Sequence, residues 1–257
     1  LSTTAGLALD RGRIADLHDP VHSYVPGGHF DGPRREQITW HHLLQQTSEW
    51  EGTLWGKPDT ADRRRGKDRA LHEPGTFWEY NDVRVNLTAL ALMHVWEKPL
   101  PDVLKEEIMD PIDASDTWQW HGYRNSDVEV NGRTMKSVSG GGHWGGGMWI
   151  SARDLARFGY LFLRRGQWKE RQLFPETWID RITTPCEVQP TYGYMWWLNT
   201  EGQLSPDAPV DSYAALGGGT NLIWIFPRHD LVVVTRWIDR NAINTFLQKI
   251  VASIEGA

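Results

Sequence analysis

Tyr80-Asn81-Asp82 is the one run in this chain that sets a phenol, an amide and a carboxylate side by side. A tyrosine with an ordinary pKa of about 10 is a poor base near neutral pH unless a cation lowers it. With such a cation at hand it can take a proton from a nucleophile and return it to a leaving group. A neighbouring carboxylate works the other way and raises the phenol. The same three residues also read as a plain helix start, with Asp82 as N-cap of a helix beginning at Val83 and a buried tyrosine beside it.

The competing chemistries are thinner. Ser139-Gly140-Gly141-Gly142-His143-Trp144-Gly145-Gly146-Gly147 lacks the Lys-Ser/Thr ending of a phosphate loop and follows no buried strand, so it reads as close backbone packing beside a cleft. His18 and His22 are four apart, but Pro20 between them breaks the helix that would aim both at a metal, and His41-His42 point to different faces. With no Cys cluster and no HExxH, neither a metal nor any other cofactor is expected. Cys186 is the single cysteine, so there is no disulfide framework, and no neighbour in the sequence activates its thiol. The net charge of -6 argues against a nucleic-acid partner. The one basic run, Arg63-Arg64-Arg65, lies among Asp59, Asp62 and Asp68 and reads as a solvated surface. No apolar stretch reaches the ~18 residues of a membrane span. The chain carries 15 tryptophans with no period, which leaves core filling and an aromatic-walled cleft both open, Trp144, Tyr194 and Trp196 being the candidates for cleft walls.

The elements that would hold these residues follow from periodicity and turn chemistry. Leu1 to Arg11 reads as the tail of a helix stopped at Gly12, and Thr39 caps a short helix through Leu43-Leu44. Residues 50–71 read as a long polar loop. The helix from Val83 to Trp96 is apolar nearly all round and should be buried. Another helix runs from Pro99 to Met109, and Asn131-Gly132 marks a hairpin between Val128-Glu129-Val130 and Thr134-Met135. Ser151 with Asp154 opens an amphipathic helix, and Pro175 to Ile182 forms a second. From Tyr192 the period changes, with strands expected at 192–197, 212–216, 221–226 and 231–238, joined by short links that imply antiparallel neighbours. Asn244 to Ile254 is a closing helix. The division expected is a mostly helical region over 1–185, carrying the Tyr80 box, and an antiparallel sheet region with its terminal helix over 186–257, an α+β organisation.

These pieces, in this order, resemble the serine beta-lactamase and penicillin-binding-protein superfamily, in its class C-like branch of esterases, D-aminopeptidases and 6-aminohexanoate-oligomer hydrolases. The resemblance is carried by Leu7 to Ile14 with Asp19-Pro20-Val21, by Ile38 to Ser48, by Gly146 to Gly159, by Tyr192 to Trp197 and by Asp230 to Val234. It implies a beta-lactamase-like fold, an antiparallel sheet flanked by helices plus a mostly helical region, and acyl-enzyme chemistry on a small-molecule ester, amide or lactam. It also implies three catalytic boxes. Tyr80-Asn81-Asp82 matches the second, Tyr-x-Asn, with Asp82 in place of the last Asn. Ala215-Leu216-Gly217 matches the third with its basic residue gone. The oxyanion hole would then use the backbone N–H of Gly218, with Gly217 beside it, a role that needs no side chain.

The first box, Ser-x-x-Lys, occurs nowhere in the 257 residues. By the family spacing it falls just before Leu1, so the chain is expected to start inside the nucleophile's helix. An upstream segment, with an N-terminal helix and the first strands of the sheet, is expected as its partner, and the chain alone is expected to be inactive. The alternative is a non-catalytic binding or scaffold protein on the same fold. Ala215 also weakens recognition of a substrate carboxylate, which favours a neutral or weakly charged ester or amide over a beta-lactam.

Overall fold

The computed structural model describes residues 1–140 and 146–255. The chain forms two compact units, one of Leu1–Ile108 with Trp118–Trp149, the other of Met109–Thr117 with Ile150–Ala257. The amphipathic helix after Ser151 packs on the strands of the second unit.

The first unit is built on buried helices. Helix α1 (Ser2–Asp10) is buried from Ser2 to Ala8. Helix α2 (Trp40–Gln45) is capped by Thr39, whose Oγ1 accepts from the His42 N–H, and ends on Gln46 in the left-handed region. The loop expected over 50–71 contains a small hairpin, β1 (Thr53–Leu54) and β2 (Lys57–Pro58), with Leu54 opposite Lys57, followed by a 3-10 turn over Asp59–Asp62.

Helix α3 (Asp82–Trp96) runs through the unit with twelve of its fifteen residues buried, as its all-round apolar sequence predicts. Its cap differs from the expectation. Asn81, not Asp82, is the N-cap, and its Oδ1 accepts from the Val83 and Arg84 N–H groups at 3.0 and 3.3 Å. An Asn in extended backbone can turn its carbonyl onto these orphan donors, which leaves the Asp82 carboxylate free to face elsewhere.

Helix α4 (Leu100–Leu104) continues as a π-helical turn over Lys105–Met109. Strands β3 (Gln119–His121), β4 (Asp127–Val130), β5 (Arg133–Lys136) and β6 (Gly147–Trp149) pair antiparallel as β3–β6 and β4–β5. The β4–β5 turn is Asn131-Gly132, both at positive φ, as the sequence predicts.

In the second unit, helix α5 (Ala152–Leu163) starts on Ser151, whose Oγ accepts from the Asp154 N–H at 3.1 Å. A hairpin, β7 (Gln167–Trp168) and β8 (Arg171–Gln172), and helix α6 (Glu176–Thr183) follow. The sheet is antiparallel in the order β12-β11-β10-β9, with β9 (Trp197–Leu198), β10 (Tyr213–Gly217), β11 (Asn221–Phe226) and β12 (Leu231–Thr235).

One face of this sheet packs on α5 so closely that a Cβ at Gly159 would lie 2.6 Å from Val232 and 2.7 Å from Ile223. The other face carries Ala214, Leu222, Trp224, Phe226 and Val233, covered by Leu247, Ile243, Ile250 and Val251 of α7 (Ile243–Glu255). The antiparallel sheet between helices gives the α+β organisation expected.

One strand is overestimated by the sequence. Residues 192–196 form a tight turn closed by a bridge between Tyr192 and Trp197, with Met195 at φ 63. Gly193 permits it, since a Cβ there would lie 1.9 Å from the Ile182 carbonyl oxygen. Among the described residues no helix is long and apolar enough to cross a membrane, and no group of His, Cys, Asp and Glu could hold a metal ion.

Candidate active site

Tyr80 is held by the residues on either side of it. The Glu79 N–H donates to the Gln46 carbonyl at 3.1 Å, and the Asn81 N–H donates to Gln46 Oε1 at 3.1 Å. Asn81 Nδ2 in turn donates to the Asp59 carbonyl at 2.9 Å, which ties the start of α3 to the 3-10 turn. The left-handed end of α2, the loop and the first turn of α3 thus converge on the backbone of one tyrosine.

Beneath this lies a buried charge network. Glu49 has no exposed side-chain surface and pairs with Arg84 Nη1 at 2.8 Å and with Arg69 Nη1 at 2.5 Å. Arg69 also reaches Glu79 Oε2 at 2.8 Å, while Glu79 Oε1 accepts from the Arg64 and Arg65 N–H groups at 2.9 and 3.2 Å. Asp59 pairs with Arg63 Nε at 2.8 Å and lies 3.7 Å from Arg84 Nη2. Buried arginines and carboxylates in this number are tolerated because each charge meets an opposite one, although Arg84 Nη2 and Arg69 Nε make no hydrogen bond among the described residues. Burial alone would raise the Glu49 carboxyl, but Arg69, Arg84 and the His72 N–H outweigh it and hold it at about 2, below the ordinary 4.5.

Tyr80 and Asp82 share the wall of a cavity of about 200 Å³ with Ala61, Asp62, Arg63 and Arg64. Burial, and then the Asp82 charge, push the Tyr80 phenol up; Arg64 opposes them and Asp62 adds to the rise. Lys57, on β2, stands behind this wall. Its ammonium lies 2.7 Å from Asp62 Oδ2 and 3.6 Å from Asp82 Oδ2, and its side chain is only 7 % exposed. Burial pulls the Lys57 ammonium down, but Asp62, then Asp82, outweigh it and leave it above its ordinary value. Asn86, one turn beyond Asp82 on α3, donates to the Tyr123 hydroxyl at 3.4 Å and accepts from the Gly140 N–H at 2.9 Å. The Tyr123 hydroxyl donates to the Gly140 carbonyl at 3.1 Å, so α3 also anchors the start of the glycine-rich segment.

The other residues expected at the site divide between scaffold and exposed turn. Tyr194 and Trp196 are core rings of the second unit, 7 % and 3 % exposed, Tyr194 against Trp178 and Trp196 between Phe162 and Tyr213. That is the core-filling reading of the two that the sequence left open. Gly217 ends β10 opposite Asn221, and Gly218 begins the exposed turn to β11, its carbonyl accepting from Asn221 Nδ2 at 2.6 Å. Trp144 lies outside the described residues. Cys186 is buried, and burial pushes its thiol up, away from reactivity. Arg63, which was expected in solvent, is buried against Asp59.

Sequence reasoning missed Lys57 altogether. A lysine between Gly56 and Pro58 in a polar loop carries only a turn signal, and nothing local marks it as buried.

The beta-lactamase family model matches residues 1–236. The chain belongs to the beta-lactamase family. It is 24% identical over 245 residues to an uncharacterized protein of Alkalihalophilus pseudofirmus, covering 88% of this chain and 67% of that one. It is also 24% identical over 271 residues to the 6-aminohexanoate-dimer hydrolase of Paenarthrobacter ureafaciens, covering 92% of this chain and 64% of that one. It therefore spans about two thirds of the length of the curated relatives it matches. Among solved structures, simvastatin synthase from Aspergillus terreus superposes with a TM-score of 0.68 at 17% identity, over 100% of this chain and 81% of that one. The fold is the beta-lactamase fold, as the order of motifs implied.

Proposed function

We propose that this chain is the greater part of a serine hydrolase that acts through an acyl-enzyme on a small ester, amide or lactam. The observation that carries this reading is Tyr80 on a cavity wall, pinned through both neighbouring residues and flanked by Asp82 and Arg64. A tyrosine fixed so tightly at a polar cavity is placed to pass a proton between a nucleophile and a leaving group.

The family membership and the likeness to a 6-aminohexanoate-dimer hydrolase support the class of reaction. In this reading the nucleophilic serine and its lysine come from residues encoded before Leu1, since the 257 residues hold no Ser-x-x-Lys. That lysine brings the cation that the Tyr80 phenol needs, because Lys57 is already committed to Asp62 and Asp82.

The test uses the protein with its upstream residues, a fluorophosphonate probe and p-nitrophenyl esters. Labelling and turnover are expected, and Tyr80→Phe is expected to lower kcat/KM by roughly 10²–10⁴-fold. An unchanged rate in that variant would falsify the role of Tyr80. A non-catalytic binding protein is the second reading, favoured by the upward-held Tyr80 phenol and by Ala215 in the basic position of the third box. It predicts no labelling, and any residue other than serine at the nucleophile position decides for it.

A further inference from the structure

The basic run Arg63-Arg64-Arg65 does not act as one patch. Arg63 turns inward, with Nε 2.8 Å from Asp59 Oδ2. Arg65 lays its guanidinium over the Phe77 ring at 5.2 Å. Arg69, further along the same loop, is spent on Glu49 and Glu79. Arg64 alone differs. Its N–H is fixed to Glu79 Oε1 at 2.9 Å, so its backbone is anchored next to the residue preceding Tyr80. Its guanidinium makes no ion pair with any described residue, yet Arg64 lines the Tyr80 cavity and its charge acts on the phenol. The two carboxylates on that wall have a cation of their own in Lys57. Among the described residues Arg64 is the cation on that wall that makes no close ion pair.

An arginine whose backbone is locked and whose fork is free at the rim of a polar cavity is built to accept a carboxylate, which it can hold through two parallel N–H···O bonds. We propose that Arg64 is a specificity-determining residue that pairs with a carboxylate carried by the substrate of the Tyr80 site. The substrate class narrows to small esters or amides bearing a carboxylate, with recognition moved from the third box, where Ala215 stands, to the loop before α3. The inference rests on the serine-hydrolase reading for the reaction, but the recognition of the anion does not need the nucleophile.

The test therefore has a binding arm and a kinetic arm, both on the protein with its upstream residues. In the first, phenylbutyrate, its neutral amide and phenylbutylamine are titrated by calorimetry into wild type, Arg64→Ala and Arg64→Lys. The carboxylate is expected to bind tightest, and Arg64→Ala to raise its Kd by about tenfold or more, the scale of a charge-assisted pair. Arg64→Lys should restore part of the loss, and the amide's Kd should stay within about twofold throughout. In the second, mono-p-nitrophenyl glutarate is compared with p-nitrophenyl butyrate. Arg64→Ala should lower kcat/KM about 10- to 100-fold more for the former than for the latter, whose own loss reports the Arg64 charge acting on the Tyr80 phenol.

Carboxylate discrimination without turnover of either ester sinks the hydrolase reading and keeps Arg64's role. Three results overturn that role: no binding of phenylbutyrate, tighter binding of the amine, or an equal effect of Arg64→Ala on charged and neutral probes. Arg64 is exposed, so the variants are expected to fold, which circular dichroism and thermal unfolding would check.

Discussion

Replacing Glu49 by Gln takes one charge out of the network under Tyr80 while keeping the side chain's shape. Glu49 accepts from Arg84 Nη1 at 2.8 Å, from Arg69 Nη1 and Nη2 at 2.5 and 2.8 Å, and from the His72 N–H at 3.1 Å. The amide can accept at one oxygen only, and Arg84 is left with Asp59 at 3.7 Å as its nearest anion. The carboxyl is held at about 2 against an ordinary 4.5. At about 1.4 kcal/mol per tenfold change in proton affinity, that difference is about 3 kcal/mol. Breaking one side of a buried pair costs about 3–5 kcal/mol by a separate route, so the two agree. The pKa is depressed on folding, so this stability is complete above about pH 4.5 and is lost as the pH falls toward 2.

Urea unfolding at pH 7 should therefore show Glu49→Gln less stable by about 3 kcal/mol. Between pH 5 and pH 3 the wild type should lose stability faster than the variant, because the variant has no carboxyl left to protonate there. A variant within about 0.5 kcal/mol of wild type at pH 7, with the same slope in acid, would show that the network contributes no net stability. The double variant Glu49→Leu with Arg84→Met should lose less than the sum of the two single changes, since the pair's mutual compensation leaves with it.

Two further outcomes concern the Tyr80 segment. Asn81→Ala removes the cap of α3 and the bond to the Asp59 carbonyl together, and should cost about 1–2 kcal/mol in thermal or urea unfolding. Asn81→Asp should recover most of the cap. Asp82→Asn takes away the largest electrostatic contribution that raises the Tyr80 phenol, so its phenolate absorbance should appear at lower pH than in wild type, with Tyr80→Phe as the blank that assigns the signal. No movement of that titration would mean that burial alone holds the phenol.

The local features of this chain could be read before any tertiary contact was known. The all-round apolar run of α3, the Thr39 and Ser151 caps and the Asn131-Gly132 turn each depend on residues within a few positions, and each stands where the sequence puts it. Their order gave an α+β organisation, and the beta-lactamase fold was implied by the resemblance of segments such as Ile38 to Ser48 and Asp230 to Val234 to that family. Where local signals competed, the nearest one misled. Asp82 and Asn81 are both good caps, and only the packing of Asn81 Nδ2 against the Asp59 carbonyl decides between them. Tyr192 to Trp197 has the composition of a strand, but Gly193 lets the chain turn under the Ile182 carbonyl instead.

At the site itself the division is sharper. The sequence alone determined that a phenol and a carboxylate stand together at the mouth of a buried helix, because Tyr80, Asn81 and Asp82 are adjacent and the apolar run after them has to be helical. Only the tertiary structure decided which charges surround them. Glu49 meets Arg84 across thirty-five positions, Lys57 reaches Asp82 from a hairpin, and of three consecutive arginines one is buried, one stacks on a ring and one faces the cavity. Charge pairing at such separations leaves no periodic trace in the sequence. A buried ion pair is specified by where two backbones bring their side chains and by the exclusion of water between them, and neither can be read from the residue types on one segment.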